Sequence, residues 1–503
     1  MLPKMHRTKT HVRRDILQWS GIHYGAGAAD GDLSESENLS TLHWPALSPR
    51  LPRQPLTDYT APTALCGGNG LAVVDGDTLL WEGSPVGKVT PGEKQMAVVS
   101  GKLVVFPDKV YYDTAAKRFG SMTADVTVNA TVTHNTVTAT DGTDLSALFT
   151  AGQGITVSGS AHAANNITIV LRSASGSTLT FYDNSFTPED KVRLRLERRV
   201  PDLCFLCEQG NRLWGVDSTT VYASALGDPL TFHNFDGLST DAYALSLGTA
   251  DRFTAIAPYG SNVLIFEEDR LHKVLGALPG QYTLYTYTVP GVQPGAHRSV
   301  AVVTQVLYYK GTDGIYAYSG GAPVSVGARF GARRFTDACG GAWGHKYYLS
   351  MTDALTGAPS LYVLDTRSGV WLREDDTCAT GFANVAGSLY VLGQRGIFRP
   401  DTGEEPVAWT ALLAPCERTT PEGRRYTKLY VHGELEPDAW LRVEVRFDEG
   451  RWHSVGTFRS HDRRGVVIPV LPNDCHRFQI RISGRGGCRL HRVTREYAEG
   501  GMA

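Results

Sequence analysis

The sequence predicts an all-β fold: a β-propeller of six or seven blades, a small β domain inserted into it, and a C-terminal β-sandwich. Three observations predict it. Glycine (54) and tyrosine (22) are abundant among the 503 residues, and long helical periods are absent, which favours many short strands joined by tight turns. A unit of apolar run, Gly/Asn/Asp turn, aromatic-ended run and further short strand recurs at intervals of roughly 40–50 residues, as blades of four strands do. After residue 409 the pattern becomes strict apolar–polar alternation, the mark of a half-solvated antiparallel sheet.

The first element, 1–60, reads as an extended arm. Its stretch "DGDLSESENLSTLHWPALSPRLPR" (30–53) is too broken for a long helix and too apolar for a solvated linker. Leu39, Leu42 and Trp44 are expected to bury against the propeller or a neighbouring subunit. Pro45, Pro49 and Pro52 are expected to hold the chain extended, with Arg50 and Arg53 pairing to an acidic surface. Upstream, Arg7, Lys9, Arg13 and Arg14 form a basic run without interleaved aromatics, read as a mobile arm.

The repeats occupy 61–123 and 198–408. Instances are "LAVVDGDTLLWEG" (71–83), "MAVVSGKLVVFPDKVYYD" (96–113), "CFLCEQGNRLWGVDSTTVYAS" (204–224), "AIAPYGSNVLIFEEDRLHKV" (255–274), "VAVVTQVLYYKGTDGIYAYSGG" (300–321), the region 341–375, and "FANVAGSLYVLGQRGIFRP" (382–400). The apolar runs suit strands buried on both faces, and the turn residues tolerate the positive φ a hairpin needs. The first two instances lie close enough to share a blade, hence six or seven. Between 124 and 197 the composition shifts to Thr, Ser, Ala, Val and Asn, with Arg172 the only Lys or Arg of 124–190. This block reads as an inserted β domain, which a hairpin loop with adjacent ends tolerates. In 409–503, Leu441, Val443, Val445 and Phe447 fall on one strand face and Arg442, Glu444 and Arg446 on the other, predicting the sandwich.

The chemistry-bearing motifs are sparse. Formal charge is −2, so no global field selects nucleic acid or anionic membranes. The N-terminus lacks the apolar core of a secretory signal, so synthesis in a cytoplasm is expected, with export only by another route such as lysis, and no run is long enough for a membrane span. The eight cysteines are scattered, and Cys204 and Cys207 form a lone C-x-x-C without the second pair a zinc ribbon needs. The Asp-Gly-Asp triplets at 30–32 and 75–77 offer too few oxygens for calcium and read as turns. His23, His43, His272, His345 and His453 stand alone in sequence. No nucleophile elbow, metalloprotease helix or phosphate loop is present. The expectation is therefore a chain that is not an enzyme, with no catalytic, cofactor or metal residues. Trp440 and Trp452 are the candidates for a sugar-stacking platform, although packing competes with that reading.

The stretch "DGDLSESENLSTLHWPALSPR" resembles the N-terminal segment of tailed-bacteriophage virion proteins, in particular the tail nozzle, or packaged-DNA stabilization (tail tubular protein B), family. "VYASALGDPLTFHNF" (221–235) looks like a second motif of that family, and the C-terminal region from "RRYTKLYVHGEL" is similar to the ends of phage structural proteins. The resemblance implies a β-propeller platform assembled as a ring at the tail or head–tail junction of a virion. It implies a cyclic homo-oligomer, contacts with portal or adaptor, tail and fibre proteins, and transient contact with phage DNA. The alternative is a receptor-binding module that contacts host cell-wall glycan through Trp440, Trp452 or the Thr-rich block.

Overall fold

The computed structural model describes residues 10–235, 237–248, 252–417, 424–459 and 465–499. The fold is all-β, with five short 3₁₀ turns as its helical elements among these residues. Two compact units are present. One comprises Met1–Thr57, Ala301–Phe382 and Ser388–Ala503; the other comprises Asp58–Val300 and Ala383–Gly387.

In the second unit, four antiparallel sheets follow one another, each a meander of four strands: the sheets span Pro62–Lys88, Gln95–Ser121, Phe205–Ser246 and Ala255–Thr288. The two instances that the sequence left open as one blade are separate sheets. The second strands are buried throughout, as in Leu103, Val104, Val105 and Phe106, each at most 1% exposed. Two of the hairpins between first and second strands use turns with positive φ at both central residues, Ser100–Gly101 and Gly210–Asn211, whose twist matches that of the flanking strands. Successive sheets pack face to face. Leu79 and Val74 meet Leu103 and Val105, Val99 and Phe106 meet Leu213, and Trp214 and Val216 meet Val263 and Ile265. Gly68 also forms a parallel bridge with Val385.

The Thr-rich block folds as a closed six-stranded barrel running from Ala124–Val132 to Glu189–Arg198. Its Thr residues face outward while Val128, Val137, Ile155, Leu171, Leu179 and Phe181 fill the interior. Ala124 pairs with Arg198, so the chain enters and leaves the barrel side by side. The Arg198 guanidinium fastens this neck, donating to the carbonyls of Ser121, Met122 and Leu148 and to Gln153 Oε1.

The first unit holds two further meanders and most of a third, whose residues 383–387 belong to the second unit. Two are complete: Ala301–Ser325 and Phe335–Asp375. The third joins Ala379–Val385, Ser388–Gly393 and Gly396–Arg399 and takes its fourth strand, Gln54–Leu56, from the N-terminal segment. The remainder is a sandwich. One sheet orders Thr10–Ile16, Cys488–Glu499, Arg424–Leu435 and Gly465–Cys475; the other orders Gly21–Ile22, Asp32–Glu37, Ala408–Leu413, Arg477–Arg485, Trp440–Phe447 and His453–Arg459. The alternating Leu441, Val443 and Val445 face the core with Ile480, Ile482, Leu429 and Val493, and Tyr426 stacks on Phe478 across the sheets at 3.8 Å.

Two expectations for the N-terminal segment are corrected here. Residues 1–60 are not one extended arm: 10–16, 21–22 and 32–37 supply strands to both sandwich sheets. Nor is the basic run a mobile arm where it is described. Arg13 and Arg14 lie on a strand whose seven residues pair with the C-terminal strand, and the Arg13 guanidinium sits over the Tyr430 ring at 4.9 Å. Arg7 and Lys9 fall outside the described residues. The polar strands are held by what they frame. Trp19 between them is completely buried in the sandwich core and donates its Nε1–H to the Leu490 carbonyl.

Candidate functional site

The densest set of functional-type side chains in the first unit surrounds residues 38–56. Asn38 adopts φ +54°, and Leu39–Ser40 then pairs with Ser48–Pro49 as a short hairpin. Leu39 and Leu47 both enter the sandwich core, so the chain must reverse between them. Pro45 lies in that reversal, exposed, behind a cis Trp44–Pro45 bond. The expectation that Pro45 holds the chain extended is therefore corrected: burying two leucines on one core requires a turn. Trp44 is half-buried against the same core. Leu42 departs from the expected burial; it is 45% exposed at the outer side of the turn.

Polar contacts fix the hairpin to the neighbouring meander. Thr41 Oγ1 donates to Asp365 Oδ2 at 2.6 Å, and Lys346 Nζ donates to Ser40 Oγ at 3.0 Å. Arg53 spans two carboxylates, with NH2 2.7 Å from Glu374 Oε2 and NH1 2.5 Å from Asp375 Oδ2, and lies over the Phe398 ring at 4.6 Å. Arg50 stands farther from the same pair, at 3.9 and 3.8 Å, and donates its Nε–H to Asn38 Oδ1 at 2.8 Å.

The two guanidiniums feel this differently. Burial opposes the Arg53 charge, but Glu374 and Asp375 outweigh it and raise its pKa. For Arg50, burial and the adjacent Arg53 charge prevail and lower it. Asp375 shows the complement: burial raises its pKa, yet the Arg53 charge and hydrogen bonds from Thr377 hold it below the usual carboxylate range. A buried ion pair of this kind contributes little over an apolar substitute, but breaking it strands a charge. It therefore fixes where the segment docks.

The glycan candidates are not brought together. Trp440 opens the strand Trp440–Phe447, while Trp452 lies beyond its far end beside His453, which pairs with Val445. At about 3.3 Å per residue the two indoles are about 20 Å apart along the hairpin. Trp452 also already carries cations, with the Arg481 and Arg446 guanidiniums 4.4 and 4.9 Å from its ring centre and Arg481 held by Glu444 at 2.7 Å.

Other sequence-marked residues resolve into local structure. Asp32 accepts from Ala29 N and Arg329 and contacts His23 Nδ1 at 2.8 Å, so neither Asp32 nor His23 is isolated. Asp75 accepts from the Thr60 and Ala61 amides, and Asp77 pairs with Lys88. His272 is buried against Glu267 (3.1 Å) and Thr286 (2.9 Å). Cys204 is exposed while Cys207 is buried, its thiol pushed up by burial and by Glu208. Among the described residues no group of three or more metal-ligating side chains converges.

Sequence reasoning missed a cleft of about 520 Å³ in the second unit, where Glu93, Lys109, Asp202, Cys204, Phe205 and His297 converge. Phe205 and His297 pack at 5.0 Å between ring centres. Glu93 lies 3.6 Å from His297 Nε2 and 2.9 Å from Arg298, and Lys109 pairs with Asp202 at 2.7 Å. Burial and the Arg298 charge, partly offset by Glu93, lower the His297 pKa to about 4, which leaves a neutral imidazole beside the Glu93 carboxylate and makes it a weak base near neutral pH. Its residues come from four chain segments, two of them outside the repeated runs, which is why no motif announced it.

No protein-family model matches the chain, and no curated protein matches it. Among solved structures it is similar to an exo-β-1,3-galactanase from Phanerochaete chrysosporium, with 10% identity over 58% of this chain and 94% of that one and a TM-score of 0.24. It is similar to a dihydro-heme d1 dehydrogenase, with 11% identity over 86% and 78% of the two chains and a TM-score of 0.31. A bifunctional GH43-CE protein from Bacteroides eggerthii gives 7% identity over 59% and 62%, with a TM-score of 0.24. The expectation that the chain is not an enzyme is corrected by this finding, since glycoside hydrolases stand among the structures it is similar to. At these scores the likeness assigns neither a reaction nor a substrate.

Proposed function

We propose that the chain is a structural component of a tailed-phage virion. In this reading its meanders are the blades of a β-propeller, copies assemble as a ring at the tail or head–tail junction, and the ring scaffolds neighbouring proteins and retains or conducts DNA. The observation that carries the reading is the lacing of the N-terminal segment. One stretch of fewer than fifty residues contributes Thr10–Ile16 to one sandwich sheet, Asp32–Glu37 to the other and Gln54–Leu56 to the last meander. Loosening the strand Thr10–Ile16 means breaking seven register pairs and exposing Trp19. Such reinforcement suits a part that bears load. The sheets packed face to face in succession and the parallel Gly68–Val385 bridge support the propeller, a closed form that leaves few free edges. The sequence motifs at 30–50 and 221–235 supply the virion assignment. Mass photometry of the purified full chain tests it: a discrete cyclic oligomer is expected, and a chain that stays monomeric at all concentrations up to tens of micromolar contradicts it.

A further inference from the structure

Beside the docked hairpin lies a cavity of about 240 Å³ lined by Lys346, His345, Arg50 and Arg367 together with Glu374, Leu42 and Leu51. The carboxylates nearby are already committed. Glu374 is taken by Arg53, and Asp365 accepts from Thr41 and contacts Arg367. Lys346 is the exception to this pairing. Its ammonium has three protons to donate, one goes to the neutral Ser40 hydroxyl, and it forms no ion pair among the described residues. His345 Nε2 is likewise buried without a hydrogen-bond partner and sits 3.7 Å from Asp365, beyond bonding distance. The Lys346 ammonium is half-buried, its one hydrogen bond goes to a neutral hydroxyl, and the nearby charges of Glu374 and Asp365 are each engaged by an arginine, so a further anion would complete it. Leu42 and Leu51 are 45% and 39% exposed.

We propose that this cavity receives the carboxylate of a partner polypeptide ending in an aliphatic residue, with the carboxylate on Lys346 and His345 and the side chain between Leu42 and Leu51. Charge complementarity selects the anion and the two leucines select what it is attached to. Burial holds the Lys346 pKa below its usual value, and an arriving carboxylate reverses that pressure, so binding is favoured by the cost the empty site carries. The site is formed only when the hairpin is docked, which makes partner capture depend on the N-terminal segment.

Calorimetric titration of the full chain with N-acetyl-leucine tests the proposal. Saturable binding is expected, at least tenfold weaker for N-acetyl-leucinamide and at least tenfold weaker for Lys346→Met. Leu51→Asp, a change at a 39% exposed position whose fold is checked by circular dichroism, is expected to abolish binding by placing a competing carboxylate beside the cavity; it decides the matter if Lys346→Met does not fold. Equal binding of the acid and the amide overturns the proposal. So does inorganic phosphate binding as tightly as N-acetyl-leucine, since the cavity then reads charge alone, or binding unchanged by Leu51→Asp.

Discussion

Single residues decide whether the N-terminal segment stays docked. Arg53 is the strongest case, because its removal leaves Glu374 and Asp375 buried without their cation. Arg53→Met is expected to cost about 3–5 kcal/mol in chemical denaturation, whereas Leu42→Ala, at an exposed position, should stay within about 0.5 kcal/mol. Acidity probes the same pair. The Asp375 pKa is depressed in the folded chain, so its contribution is complete above the unfolded value of about 3.9 and is lost as pH falls through the folded value. Melting temperature should therefore drop below about pH 4, and Asp375→Asn should flatten that drop. His297 acts in a different window. Its folded pKa of about 4 lies below the unfolded value of about 6.5, so stability declines as pH falls between the two, and His297→Gln should remove that decline. The positions of Arg50 and Arg53 near prolines and leucines mark this segment as more than a linker, and that much is legible in sequence. Which leucine stays outside is not, because it depends on a reversal between Leu39 and Leu47 that no local pattern specifies.

Elements differ in how plainly their residues announce them. The meanders are legible because everything they need is local: an apolar run, two turn residues able to take positive φ, and a second run that pairs with the first. The strands Thr10–Ile16 and Asp32–Glu37 are not legible. Their sequences, THVRRDI and DLSESE, are mostly polar, and their antiparallel partners lie far along the chain, at 493–499 and 410–413, so neither alternation nor a hairpin turn signals a strand. Their anchor is Trp19, and Trp19→Ala should destabilise the sandwich by about 3–5 kcal/mol, measured by urea unfolding. The barrel shows the converse. Its Thr-rich composition marks it off cleanly, and its ends meet at the Ala124–Arg198 pair. Replacing 124–198 with a short Gly/Ser turn should leave the four meanders of that unit folded, with a single cooperative melt and a retained β-type circular dichroism signal.

The cleft around His297 and the cavity around Lys346 lie in different units, so they are separable by mutation: Leu51→Asp should leave any property of the cleft untouched. The central claim is that copies of this chain form a ring within a tailed-phage particle. Cryo-electron microscopy of purified particles containing it tests that most directly. The map is expected to show cyclically arranged copies around the tail axis, each with its meanders closed about a propeller axis and its N-terminal segment laced into the terminal sandwich. Single, unringed copies off that axis would contradict the account.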